Sequence, residues 1–159
     1  DEEEINTIPF RAHDILDIME ELNPAIRAMA NFFDLNYHFK SLTIKSKIVS
    51  DINLTKECIN IAAEQAISTS DGPVSLQVAQ PNKFEIVVTI LNRSAHLLDD
   101  YKIVKKERFK GNNIRIERMS LTQVDKYMMF MGGELEVMKR KSGGNAIYLR
   151  FSTGINSDS

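Results

Sequence analysis

No stretch of this 159-residue chain approaches the roughly 20 consecutive apolar residues needed to span a bilayer. Nor does it open with the basic-then-apolar pattern of a secretory leader. Together these predict no direct membrane contact. Cys58 is the single cysteine, so no internal disulfide can form, which is compatible with a reducing compartment and with a cytoplasmic setting. A net charge of −2 offers no electrostatic footprint for general nucleic-acid binding. No repeat or low-complexity tract interrupts the chain. It begins Asp1-Glu2-Glu3-Glu4 without a Met, and is therefore read as a fragment of a longer protein.

What the sequence does have is length for one domain, with enough core to fold without a metal or a disulfide. Charge is uneven. Residues 1–21 are acidic, whereas Lys102, Lys105, Lys106, Arg108, Lys110, Arg115 and Arg118 make residues 102–118 basic. Both stretches read first as solvated surface, with an acidic partner or a phosphate as the alternative for the basic one.

Residues 1–11 read as an irregular lead-in, residues 12–152 as the domain and residues 153–159 as a loose polar tail. Ile15, Ile18, Met19, Leu22, Ile26, Met29 and Phe33 recur at helical spacing. Pro24 lies inside that helix and predicts a bend or break. Ser41–Val49 alternates like a strand. A second helix is predicted over Leu54–Ile67, then a hairpin of Val74–Ala79 and Phe84–Leu91 around Gln80-Pro81-Asn82-Lys83. Residues 92–118 are polar and carry at most one helix, near 97–107. A third helix presents Leu121, Val124, Met128 and Met131 on one face and stops at Gly132-Gly133. Met128 and Met129 are adjacent, so one must point outward, where it could form an adaptable contact surface. Glu134–Met138 and Ala146–Phe151 close the domain as a hairpin. This order predicts an α/β (α+β) two-layer sandwich: a mixed sheet of about five strands with three helices on one face.

Three stretches carry a resemblance. Glu64-Gln65-Ala66-Ile67 looks like an E-N-A-I motif. Phe130-Met131-Gly132-Gly133-Glu134-Leu135-Glu136-Val137 looks like L-M-G-G-x-I-x-V. Ser142-Gly143-Gly144-Asn145-Ala146-Ile147-Tyr148-Leu149 looks like G-x-G-S-x-F-x-F. In that order and spacing they resemble the catalytic, ATP-binding domain of sensor histidine kinases, a Bergerat-type fold shared with gyrase-type ATPases. The resemblance covers residues 8–152 and implies a place in two-component signalling.

The family's working positions transfer poorly. Its Mg²⁺-binding Asn falls on Gln65, whose amide sits one carbon further out, while Mg²⁺ requires near-octahedral ligands at about 2.0–2.1 Å. Its D-x-G-x-G falls on Asn92-Arg93-Ser94-Ala95-His96: Asn92 replaces the adenine-reading Asp, and Ser94 and His96 replace glycines. Its second glycine box falls on Arg118-Met119-Ser120-Leu121. There Ser120-Leu121-Thr122-Gln123 reads as a capping box, with Ser120 at the N-cap and Gln123 reaching back. Such a cap stabilises a helix start by about 1 kcal/mol and satisfies donors that would otherwise hold phosphate. The resemblance therefore implies a degenerate module: no catalytic residue, no metal site, no expected cofactor, and vestigial pocket positions at Gln65, Asn92, Ser94, His96, Arg118 and Ser120. Its expected partners are a receiver domain, a dimerisation hairpin or a second copy. The alternatives are a divergent but active kinase domain using ATP and Mg²⁺, or a sensor of another anionic ligand in which Arg118 supplies the charge.

The histidines fit this reading as ordinary residues. His13 in His13-Asp14-Ile15 faintly echoes a phospho-acceptor motif, but only one helix precedes the first strand, where a two-helix hairpin would be needed. His38 has no second ligand at metal spacing.

Overall fold

Helix α1 (Ile15–Phe32) forms where the apolar spacing predicts it in a computed structural model, which describes residues 10–94 and 120–155. Asp14 caps it, accepting from Leu16 N at 2.9 Å. Ile15, Ile18, Met19, Leu22, Ile26 and Ala30 form its buried stripe. The helix runs through Pro24 without a break, which leaves a bend as the remaining form of the sequence expectation. Pro24 and Glu20 are both exposed, so water can take the Glu20 carbonyl that Pro24 cannot serve. Asp34, at φ 57, turns the chain just beyond the helix.

The single strand predicted over Ser41–Val49 is two strands. β2 (Tyr37–Ser41) and β3 (Lys47–Ser50) are separated by an irregular segment. There Ser41 Oγ donates to Thr43 O at 2.7 Å and Thr43 Oγ1 to Lys45 O at 2.8 Å. Such local bonds compete with a strand ladder. β3 pairs antiparallel with β1 (Arg11–Asp14), a strand that takes in the last residue of the expected lead-in.

Helix α2 (Ile52–Ser68) is capped by Asp51, which accepts from Leu54 N at 2.9 Å. β4 (Val74–Asn82) and β5 (Glu85–Asn92) form the predicted hairpin with a tighter turn. β4 continues through an irregularity between Ala79 and Asn82 that accommodates Pro81. Asn82 Oδ1 closes the turn by accepting from Phe84 N at 2.8 Å. Helix α3 (Ser120–Phe130) buries Leu121, Val124 and Met128, and Met131 follows them inward. Met128 is fully buried and Met129 is 68% exposed, so the adjacent pair divides between core and surface. β6 (Glu134–Lys139) and β7 (Asn145–Ser152) complete the chain. Thr153, read from sequence as the start of a loose tail, is tied down: its N–H donates to Phe84 O at 3.1 Å.

The main sheet has the order β2-β4-β5-β7-β6, with β2 and β4 parallel and the other neighbours antiparallel. Among the described residues it is a mixed five-stranded sheet with three helices, the α+β sandwich expected from sequence; the two-stranded β1-β3 sheet is an addition. Val74, Leu76, Val78, Ile86, Val88, Ile90, Ile147, Leu149 and Phe151 face the helices in one core. On the opposite face Arg150 bonds Glu136 at 3.1 Å and Glu85 at 3.4 Å and lies over the Tyr148 ring.

Candidate functional site

Three of the positions singled out in the sequence, Gln65, Asn92 and Ser94, converge where the end of β5 meets the C-terminal turn of α2. Gln65 is half-buried in the last turns of α2, and its carbonyl accepts from Thr69 Oγ1 at 2.7 Å. Asn92, the last residue of β5, is 1% exposed. Its Nδ2 donates to Ala66 O at 3.1 Å and to Thr69 Oγ1 at 3.3 Å. Its Oδ1 accepts from Asn145 Nδ2 at 3.4 Å. The same Asn145 Nδ2 also donates to Ser94 O, which draws buried Ser94 into the cluster. Alongside, Arg93 N donates to Ser70 Oγ at 3.0 Å, and Asp71 N to Arg93 O at 2.8 Å. Residues 92–94 are thus held between the loop after α2 and the first residue of β7.

His96 and Arg118 lie outside the described residues, as does the basic stretch 102–118. The described part of α3 begins at Ser120, whose side chain lies outside the described residues. Gln123, expected to reach back toward the cap, extends forward instead: its Nε2 donates to Tyr127 Oη at 2.6 Å.

Asn145, Thr69 and Ser70 complete this cluster and did not stand out in the sequence. The available signal was Asn145, a polar residue opening an otherwise apolar strand. Gly144, just before it, has φ +84, and a Cβ there would collide with the Asn92 carbonyl oxygen. This close approach sets Asn145 against Asn92. Among the described residues, buried Asn145 Oδ1 has no hydrogen-bond partner.

The overall architecture has close structural counterparts. No protein-family model matches the sequence, and no curated protein matches it. Among solved structures, the nucleotide-free catalytic domain of histidine kinase ThkA is similar at TM-score 0.74 and 11% identity, covering 92% of this chain and 97% of that one. The mycobacterial sensor histidine kinase MprB is similar at TM-score 0.69 and 15% identity, covering 90% and 97%. Full-length ShkA, solved with AMPPNP, is similar at TM-score 0.71 and 12% identity, covering 92% of this chain and 32% of that one. The chain has the fold of a sensor histidine kinase catalytic domain.

The resemblance puts its adenine-reading position at Asn92, where the described polar groups are already bonded to one another. The Asn92 amide directs its donor at α2 and its acceptor at Asn145, and the side chain is shut away from solvent. Asn92 Oδ1 keeps a second lone pair, but it is buried, so an adenine amino group could reach it only if the cluster opened. The resemblance puts its metal-binding Asn at Gln65, whose side chain is one carbon longer, a poor match to the rigid geometry of Mg²⁺.

Proposed function

We propose that this chain is a non-catalytic, kinase-like module of two-component signalling, part of the cytosolic portion of a larger sensor, which acts through protein contacts and does not turn over ATP. A receiver domain, a dimerisation hairpin or a second copy is the partner class this role requires. The observation that carries the reading is the buried Asn92 amide, which gives both of its N–H donors to Ala66 and Thr69 and accepts from Asn145. Buried polar groups that satisfy one another are costly to open, because each freed partner loses about 1–3 kcal/mol. A nucleotide would have to offset that cost before gaining any affinity. Among the described residues, no helix is long and apolar enough to cross a bilayer.

Titration calorimetry of the 159-residue chain with ATP and Mg²⁺ tests the proposal. The expected result is no saturable binding up to millimolar nucleotide. Saturation in the micromolar range, about −8 kcal/mol of binding free energy, would overturn it and restore the active-kinase reading.

A further inference from the structure

The main sheet ends in two edges, β2 and β6, and they differ in charge. β2 carries His38 and Lys40 and no acid, and its Tyr37 carbonyl already accepts from Arg27 Nη1 at 3.1 Å. β6 begins with Glu134 and Glu136 and runs into Lys139, Arg140 and Lys141. Read in reverse, that run is its own electrostatic complement.

The backbone of β6 is arranged for the same purpose. Arg140 N donates to Gly144 O at 3.0 Å. That bond shares its register with the pairs Met138–Ala146, Glu136–Tyr148 and Glu134–Arg150. Bonded and non-bonded pairs alternate along an antiparallel ladder. The even-numbered residues therefore direct their main-chain groups at β7, while Leu135 and Val137 turn theirs toward the outer edge. Among the described residues no strand pairs with that edge. Val137 is half-buried and Met138 is 48% exposed, so the edge also offers apolar side chains.

We infer that β6 is a self-association edge that pairs antiparallel with β6 of a second copy, about a two-fold axis at Val137, so that the two sheets become one. In this register Glu134 of each copy faces Arg140 of the other, and the symmetry makes the contact twice. Moving the axis to Glu136 would set the two Glu136 carboxylates opposite each other, which is destabilising. Moving it to Met138 would aim Arg140 at Glu136, which Arg150 already holds, and leave Glu134 facing Ser142. Charges on an edge strand usually prevent pairing. Here their order along the strand selects one partner and one register.

Sedimentation velocity of the 159-residue chain over a concentration series tests the inference. A monomer–dimer equilibrium that weakens with salt is expected. Glu134→Lys and Arg140→Glu should each weaken dimerisation by about three- to tenfold, and the double variant should regain it, because opposite charges face each other again. Val137→Pro removes one outward-facing donor while leaving the bonds to β7, and should abolish the dimer with the circular dichroism unchanged. A chain that stays monomeric at every concentration overturns the inference. So does a dimer indifferent to these substitutions, or a double variant that fails to regain association.

Discussion

Asn92 Nδ2 donates to the Ala66 carbonyl at 3.1 Å, tying the end of β5 to the last turn of α2. That contact commits Asn92 to the fold's own hydrogen bonding, and its direction can be tested. Asn92→Ala leaves Ala66 O and Asn145 Nδ2 each short of a buried partner and should cost about 1–3 kcal/mol in chemical denaturation. Asn92→Asp points a carboxylate oxygen at a carbonyl oxygen, so its folded pKa should rise above the ordinary value. The folded state then holds its proton longer than the unfolded state does. The variant should approach the parent's stability near pH 4 and lose stability as pH rises toward 7. An Asn92→Asp variant as stable as the parent at pH 7 would show that the side chain is free to face a ligand.

Gly143 and Gly144 make a matched pair. Both have positive φ, +98 and +84, but nothing lies within 4 Å of a Cβ at Gly143, whereas one at Gly144 strikes the Asn92 carbonyl. Gly143→Ala should cost only its left-handed backbone strain, about 1–2 kcal/mol. Gly144→Ala adds a backbone collision and should cost more than about 3 kcal/mol, in the range reserved for severe structural lesions. Thermal denaturation of the two variants side by side measures the difference, and equal losses would contradict the close approach of β7 to Asn92.

Cys58 is fully buried between α2 and α3, its Sγ 4.0 Å from Val124 O. Burial, with a smaller contribution from Glu57, pushes its thiol up to about 12. The native protein should therefore resist maleimide or disulfide reagents at pH 8 and react fully once denatured. The sign for stability follows from the raised value: above about pH 8.5 the unfolded thiol ionises while the folded one does not, so stability should fall as pH climbs toward 12. Rapid labelling of the native chain at pH 8 would contradict the packing of α2 on α3.

The elements legible in the sequence were those whose apolar period matches their burial. α1 and α3 show their buried faces directly, as Ile15, Ile18, Met19 and Leu121, Val124, Met128. Ser41–Val49 misled because Leu42 and Ile44 alternate like strand residues yet are 54% and 93% exposed. Their backbone is set by Ser41 and Thr43 side chains, which periodicity does not register. β1 has no apolar alternation and forms through pairing with β3, a tertiary event. At the site, the substitutions at Gln65, Asn92 and Ser94 could be read in sequence. The partners that absorb Asn92 could not, since Ala66, Thr69 and Asn145 meet it only when α2, β5 and β7 are packed.

The most direct measurement of the central claim is the melting temperature of the 159-residue chain with and without millimolar ATP and Mg²⁺. A ligand at 100 times its Kd adds about 2.7 kcal/mol, which for a domain of this size raises Tm by roughly 5–10 °C. The account predicts that Tm stays where it is. A rise of that size would contradict it, because it would mean that the Asn92 cluster opens to admit the nucleotide.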